Sequence, residues 1–590
     1  MKHFCLNRGD SIPSGGPVAA MESSPSAVST LIVQVREPGE EIDTNSYEPA
    51  SSFSDGLRGK LANWVGLSQK KAFILFCLAL SVSAFCKLSR LNSRELWLDE
   101  TYSAFMANLH LADLPRHLAG EYNPPFFYVL LWAWVRVVGD AQFQLRLFSV
   151  VLNVISILGM YVLARRILGA RIGALAAALF AFSPMLFVYS LEVRNYMLTI
   201  LVFICLLIVH WAVAVEQREE KWLVAAYGIL AALLFYINYI GVFILLGLCV
   251  HWMIASGFAR RRIARLCAAG ILTVLLISPG IPALLERNSL KAQLGRSLEA
   301  SHQDPSALSY GAALKKPIGM ARIEGLAKSA AAMAGFFPAA SHLLLLLCAV
   351  PLAVTLTGAG FLWLMKGDEV CRLAGIVMLA VGIGMVAAHL YSTRYTLALV
   401  PLLVMAMARV VQYWAAVPRW RAACLTVGTL ILCLYTAGFF RQAYMPHGCP
   451  WQTLVGVAQQ NYRPGDMVVF DVLYAQVPFD YFARQAHFQP QECGFPLSIY
   501  DWWDKQRNEA WGGPVIMKSD LDEFVSGLYA SRSKTLWLVL YETYYYDPHD
   551  TLLESLRQFG QVTEFSFPQG EGASASEDDS NLRLIRISLK

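Results

Sequence analysis

Two adjacent carboxylates, Asp99 and Glu100, lie in a short polar stretch between apolar segments of this 590-residue chain. The stretch begins at Trp97 and closes with the string Asn-Pro-Pro-Phe-Phe-Tyr at 123–128. Ionisable residues close to a membrane span are costly to place there and usually mark function. One carboxylate can take the proton of an attacking hydroxyl or amine while its neighbour orients it or binds a cation. The alternative is a pair of solvated loop residues, or an Asp99 that caps the following helix.

Further polar residues stand at the ends of later apolar segments and could hold a phosphate. Arginine forks match phosphate oxygens, and carboxylates accept protons from an incoming group. In such positions arginines also pair with lipid headgroups, or with a neighbouring carboxylate. The candidates are Arg146; the group Glu192, Arg194 and Tyr196; and the group His389, Tyr391, Arg394 and Tyr395.

Composition places these residues in a membrane protein. The chain is 56% hydrophobic and only 15% charged, whereas soluble domains carry about 25% charged residues. From residue 441 onward there are 12 Lys and Arg against 19 Asp and Glu, although the whole chain has a net charge of +5. This asymmetry indicates a basic membrane part that faces inward and an acidic outer part, and it argues against nucleic-acid binding.

Eleven apolar segments are long enough to span a bilayer. They lie near 72–90, 145–164, 171–190, 196–215, 222–238, 239–257, 265–284, 342–365, 371–390, 396–415 and 422–440. A further apolar segment, Pro124 to Val138, is shorter. If this segment does not cross the bilayer, the short loops on one side of the membrane contain 13 Lys and Arg residues, and those on the other side contain 2. The positive-inside rule therefore predicts an interfacial or re-entrant segment here, an inside N-terminus and an outside C-terminus.

The expected fold is an α-helical polytopic membrane protein of about 11 transmembrane helices, followed by a C-terminal extramembrane α/β domain. Residues 1–65 are predicted to be a disordered cytoplasmic tail. Residues 66–440 form the membrane domain, with an outer loop at 91–143 that begins with an amphipathic helix at 101–120. Residues 441–590 form a periplasmic domain. Whether its two cysteines, Cys449 and Cys493, form a disulfide is left open by the sequence. Its predicted elements are strands at 467–471, 536–541, 561–567 and 582–589 and helices at 476–485 and 550–559.

An ordered set of short motifs resembles the GT-C superfamily of membrane glycosyltransferases over about residues 70–440. Within it, the chain is most similar to family 39, which includes protein O-mannosyltransferases and the aminoarabinose transferases of lipid A. Each motif alone is weak evidence for the superfamily, and the resemblance depends on the order in which the motifs occur. The motifs are Leu98-Asp99-Glu100, Asn123 to Tyr128, Gln144 to Ser149, Leu163 to Gly169, Ser190 to Tyr196 and Ser392 to Tyr395.

The resemblance implies an inverting transfer of a sugar from a polyprenyl-phosphate donor to a lipid, glycan or protein acceptor on the outer face of the membrane. Asp99 would be the base with Glu100 beside it, and Arg146 and Arg194 would lie near the donor phosphate. Many relatives have His where this chain has Asn123, and an amide cannot carry charge. That difference puts metal dependence in doubt. No metal-ligand spacing or cofactor motif is present in the sequence, and a divalent cation is left open.

The remaining expectations concern partners and location. The partners would be the lipid donor, the acceptor and the bilayer, in a bacterial plasma (inner) membrane. Acceptor choice would be decided in 286–330 and in the C-terminal domain. A transporter or flippase of a lipid-linked precursor is the main alternative. A weaker alternative is a catalytically inactive scaffold whose outer domain binds a partner. A transporter would show internal repeats or charged, broken spans near mid-bilayer, whereas the ionisable residues here cluster at span ends.

Overall fold

The computed structural model describes residues 68–114, 123–282, 342–388, 393–444, 450–500, 518–565 and 582–589, with gaps of one to three residues inside some ranges and a few single residues between them. The predicted tail at 1–65, the region 286–330, His389, Tyr391 and Cys449 lie outside the described residues. The disulfide question at Cys449 and Cys493 therefore stays open.

The membrane part is built of helices separated by short turns. In chain order they are α1 (Gln69–Leu88), α2 (Leu98–Asn108), α3 (Phe126–Val138), α4 (Gln142–Leu168), α5 (Ala170–Ala181), α6 (Pro184–Ser190), α7 (Tyr196–His210), α8 (Lys221–Ile237), α9 (Gly241–Ala255), α10 (Arg260–Ile277), α11 (His342–Lys366), α12 (Glu369–Ala387), α13 (Val400–Ala415) and α14 (Arg421–Tyr444). A π-helical turn, Trp211–Val215, extends α7, and a 3-10 turn, Thr393–Leu399, leads into α13.

The helical membrane architecture is confirmed. Within the described residues, seven helices are long and apolar enough to cross a membrane, or eight if α5 and α6, bent by 53°, form one span. They coincide with eight of the eleven predicted segments. The other three predicted segments coincide with α8, α9 and α11, which are apolar but shorter over the part described. The number of crossings therefore stays a prediction, as does the interfacial position of α3.

Close helix contact in the membrane part depends on small residues, as between α9 and α12. A Cβ built on Gly247 would lie 2.8 Å from the backbone of Val377, and one on Gly384 would lie 2.2 Å from the ring of Phe243. No real side chain tolerates such distances. Since lipid supplies no hydrophobic drive between helices, this close packing is a main source of their association.

Helix α2 is shorter than the predicted amphipathic helix at 101–120. It ends at Asn108, because Leu109 is already extended. The side chain of Arg136 on α3 donates to the carbonyl oxygens of Ala107 and Leu109, at 3.2 Å each. These donors satisfy carbonyls that the helix end leaves without partners. Helix α3 therefore determines where α2 stops.

The C-terminal domain is α/β, as the alternating pattern predicted. Its elements are α15 (Trp451–Asn461), β1 (Met467–Asp471), α16 (Gln476–Gln485), β2 (Gln491–Gly494), α17 (Lys518–Ala530), β3 (Thr535–Leu540), α18 (Thr551–Arg557), β4 (Gly560–Phe565) and β5 (Arg583–Leu589). The strands form one sheet in the order β2-β1-β3-β5-β4. Strand β1 runs parallel to β2 and β3, while β5 is antiparallel to β3 and β4. The sequence pattern missed β2, α15 and α17.

The C-terminal domain packs directly on the outer loop. Helix α16 contacts α2, and the Tyr481 hydroxyl donates to the carbonyl oxygen of Asp140 at 3.0 Å. The carboxylate of Asp140 accepts from Arg484 at 2.6 Å and from Asn108 at 3.1 Å. A second contact joins Glu95, just before α2, to the backbone N–H of Gln452 in the first turn of α15, at 2.6 Å.

Candidate active site

The two adjacent carboxylates occupy different environments. Glu100 is fully buried and forms a two-pronged ion pair with Arg146 of α4. The arginine Nε donates to Oε1 at 2.9 Å and Nη2 donates to Oε2 at 2.7 Å. Such parallel bonds give both strength and a defined orientation.

Both members of this pair have their hydrogen-bonding capacity filled. Arg146 uses its remaining donors on the backbone carbonyls of Leu91, Arg94 and Glu95, so its five N–H groups are all engaged. Glu100 also accepts from the backbone N–H of Val193 at 3.2 Å and of Trp97 at 3.5 Å. In this conformation Arg146 has no donor left for a phosphate and Glu100 no lone pair for an incoming proton.

Asp99 has a more open environment on the neighbouring face of α2. Its side chain is 28% exposed, and its Oδ2 lies 3.5 Å from Arg194 and 3.7 Å from Arg394. These two arginines come from the turn before α7 and from the 3-10 turn before α13. The tertiary structure thus gathers three predicted residues from distant parts of the chain around one partly exposed carboxylate.

Two tyrosines complete the surroundings of the arginines. Arg194 donates to the Tyr128 hydroxyl at 3.4 Å, and the Tyr196 side chain lies beside the guanidinium of Arg394. Tyr196 is buried and packs edge-on against Tyr189 at 5.0 Å between ring centroids. These contacts limit the rotamers of both arginines, so their charges stay close to Asp99.

The other predicted residues lie around this centre. Glu192 is 3.9 Å from Arg94. The side chain of Asn195 donates to Asn123 Oδ1 at 3.2 Å and to the carbonyl of Ile237 at 2.6 Å. Asn123 therefore lies at the turn that precedes α7. His389 falls outside the described residues, so its place is not known.

Sequence reasoning missed the site neighbours Arg94, Tyr128 and Asn195. Tyr128 closes the Asn-Pro-Pro-Phe-Phe-Tyr string and Asn195 follows Arg194, so both were inside motifs already singled out. Arg94 precedes the motif by a few residues, and its contact with Glu192 spans nearly a hundred positions. No local signal points to such a contact.

No group of three or more His, Cys, Asp or Glu side chains that could hold a metal ion occurs among the described residues. The charged groups that do converge are one carboxylate and two guanidiniums. A carboxylate can accept a proton, and two guanidiniums can bind a phosphate through paired N–H bonds. Their proximity suits a reaction in which a phosphate leaves while a hydroxyl or amine attacks.

Comparison with known proteins agrees with the fold. Residues 122–282 match the family described as dolichyl-phosphate-mannose-protein mannosyltransferase. No curated protein matches the sequence. The structure is similar to that of ArnT from Cupriavidus metallidurans bound to undecaprenyl phosphate, at 13% identity and a TM-score of 0.51, covering 86% of this chain and 97% of that chain. The apo state of the same ArnT gives 13% identity, the same coverage and a TM-score of 0.52.

At this identity the structural likeness concerns the fold, while the family match concerns the segment that contains Arg146 and Arg194. Together they confirm the resemblance that the motifs indicated. The chain is a multi-span membrane protein whose segment 122–282 matches a mannosyltransferase family and whose fold is similar to that of ArnT.

Proposed function

We propose that this protein transfers a sugar, with inversion, from a polyprenyl-phosphate donor to a lipid, glycan or protein acceptor on the outer face of a bacterial plasma membrane. The observation that carries the proposal is the partly exposed Asp99 carboxylate with Arg194 and Arg394 beside it. The match to a dolichyl-phosphate-mannose-dependent family and the undecaprenyl phosphate bound to ArnT support the class of donor.

In the proposed reaction, Asp99 takes the proton of the acceptor hydroxyl or amine as its lone pair attacks the anomeric carbon. The bond from that carbon to the phosphate oxygen breaks, and polyprenyl phosphate leaves with the electron pair. Arg194 and Arg394 stabilise the charge that develops on the departing phosphate. Both arginines contact Asp99 here, so a bound phosphate would compete for them and leave the carboxylate a better base.

Glu100 and Arg146 have a positioning role in this mechanism: Glu100 orients the segment that carries the base, and Arg146 acts through Glu100 and not on the donor phosphate. Their ion pair connects the first turn of α2 to α4, and Glu100 also holds the backbone of Val193, next to Arg194. One buried carboxylate thereby fixes the Asp99 backbone relative to an arginine of the site. Asparagine at 123 would contribute hydrogen bonds but no charge near the donor.

The test is mass spectrometry of lipid-linked sugars, lipid A and surface glycans from cells in which the gene is deleted and then restored. We expect deletion to remove one sugar from one glycan and wild type to restore it. Asp99→Asn, which keeps the shape but cannot take a proton, should fold and fail to restore it. Asp113→Asn, the matched change at an exposed carboxylate of the same loop, should restore it fully. Restoration by Asp99→Asn would refute the proposal and favour the transporter or scaffold interpretation.

A further inference from the structure

A cavity of about 560 Å³ lies between α2 and the C-terminal domain. Thr101 and Phe105 of α2 form one wall, and residues between Val477 and Tyr500 form the others. We call it the junction pocket. Its volume is within the range of about 300–1,000 Å³ that small-molecule sites occupy.

The junction pocket is separate from the surroundings of Asp99. With 3.6 residues per turn, Thr101 and Phe105 are rotated about 200° and 240° around α2 from Asp99. Their side chains therefore leave the helix on the opposite face. One helix carries the candidate base on one face and a wall of the pocket on the other.

A pair of carboxyl groups forms the polar centre of the pocket. The Tyr500 hydroxyl donates to Asp480, and the Gln476 amide donates to Glu492 Oε2 at 3.2 Å. Burial, and next the neighbouring Glu492, raises the pKa of Asp480 to about 9. At neutral pH the pair therefore shares one proton and carries one negative charge, so that it offers a hydrogen-bond donor as well as acceptors.

Aromatic rings form much of the remaining lining. Phe105 and Tyr500 have centroids 5.7 Å apart, and Phe488 lies against the same space. The lining guanidinium of Arg484 is paired with Asp140 at 2.6 Å. The pocket thus combines apolar ring faces with a few polar groups of small net charge.

We propose that the junction pocket binds a neutral sugar ring. Such a ring has apolar C–H faces that pack on aromatic side chains, and hydroxyls that both donate to and accept from a half-protonated carboxyl pair. A fully apolar ligand would leave the buried carboxyl groups without partners, which is costly. We assign the bound ring to the acceptor, an assignment that rests on the function proposed above, because α2 joins this pocket to Asp99.

The test uses the full-length protein in lipid nanodiscs and saturation-transfer NMR with the methyl glycosides of glucose, mannose, galactose and N-acetylglucosamine. We expect at least one of them to bind wild type. Glu492→Gln, which is isosteric and removes the negative charge of the pair, should weaken binding roughly tenfold through loss of the charged acceptor. Phe488→Ala should weaken it roughly threefold to tenfold through loss of the ring face. Glu564→Gln, at an exposed carboxylate of β4, is the control and should bind as wild type does.

Equal binding by all variants, or no binding of any glycoside, overturns the proposal. Binding of glucosamine without the neutral glycosides also overturns it, because the site would then select a cation. Melting temperatures establish that each variant is folded, and Glu492→Gln keeps the test decisive if Phe488→Ala is unstable. The assay needs no turnover, and Asp99→Asn should bind the glycoside normally. A failed transferase proposal is therefore distinguishable from a failed binding proposal.

Discussion

At the scale of single residues, Asp99 and Glu100 differ because of what lies around them. Glu100 is enclosed by Arg146 and two backbone N–H groups, whereas Asp99 is 28% exposed beside two arginines that approach no closer than 3.5 Å. A saturated buried carboxylate stabilises a geometry, while an accessible one can exchange a proton. The proposed roles, Asp99 as the base and Glu100 as a positioning residue, rest on this difference.

The buried pair can be tested through stability. Arg146→Met leaves the Glu100 carboxylate buried without its partner, which costs about 3–5 kcal/mol. We expect a large fall in the melting temperature of the purified protein. The double variant Glu100→Met with Arg146→Met should recover part of the loss, since neither charge is then buried. A double variant that melts no higher than Arg146→Met would contradict the pairing.

The phosphate role of Arg194 predicts a loss of transfer without a loss of stability. Arg194→Lys keeps the charge but not the fork, so we expect roughly a tenfold or greater fall in glycan product, the size of a lost charge-assisted hydrogen bond. Arg166→Lys, which alters an exposed pair with Glu216, is the matched control. Wild-type product levels from Arg194→Lys would remove Arg194 from the mechanism.

At the scale of elements, α2 is held from several sides. Arg136 on α3 closes its C-terminal end, Glu100 secures its first turn to α4, and α16 of the C-terminal domain packs along it. The chain before α2 is also attached to the C-terminal domain, through Glu95. Movement of the C-terminal domain would therefore reach the helix that carries Asp99.

The hydrogen bonds and ion pair of Asp140 allow the connection between the C-terminal domain and α2 to be tested. Asp140→Ala removes the acceptor of Arg484 and Asn108. Because the ion pair is partly exposed, its contribution is at most about 1 kcal/mol, so we expect amide exchange in α16 and α2 to rise by roughly twofold to fivefold. Hydrogen exchange with mass spectrometry measures this, with Glu554→Ala, which breaks the exposed pair with Arg557, as the control. Unchanged exchange in both helices would show that Asp140 does not hold them.

The contact between Glu95 and α15 predicts a dependence on pH. Burial raises the pKa of Glu95 from 4.5 to about 6, against the lowering effect of the backbone N–H groups of Gln452 and Trp451. The folded state therefore binds more protons than the unfolded state between these values, so this carboxyl's contribution to stability falls as pH rises from about 4.5 to 6. Glu95→Gln should remove the fall in melting temperature that this carboxyl causes between about pH 4.5 and pH 6. An identical pH profile for both proteins would refute the shift.

At the scale of the whole molecule, the open question is the path of the chain across the bilayer. The loop charges predict that α3 does not cross and that the C-terminus is outside. Alkaline phosphatase, which is active only outside, should be active when fused after Gly139 or after Lys590 and inactive when fused after Gly169. Activity after Gly169 and its absence after Gly139 would show that α3 crosses and would reverse the orientation of the spans that follow it.

The sequence by itself determined most of the membrane helices, part of the C-terminal domain and the membrane class of the protein. Long apolar runs predicted eight of the spanning helices, because a segment that must satisfy its own backbone in lipid is recognisable locally. The strand at Met467–Asp471 and the helix at Gln476–Gln485 were predicted with their observed bounds, since alternation and helical spacing are local properties. The short strand Gln491–Gly494 was missed because its pairing with β1, not its own pattern, makes it a strand.

Only the tertiary structure decided what each charged residue contacts. The sequence and its resemblance predicted Arg146 near a donor phosphate, and the structure shows it paired with Glu100 with every donor engaged. It could not tell which of two adjacent carboxylates is accessible, nor that Arg394 reaches Asp99. Burial and charge pairing depend on contacts between segments far apart in the chain, and these contacts exist only when the helices have packed.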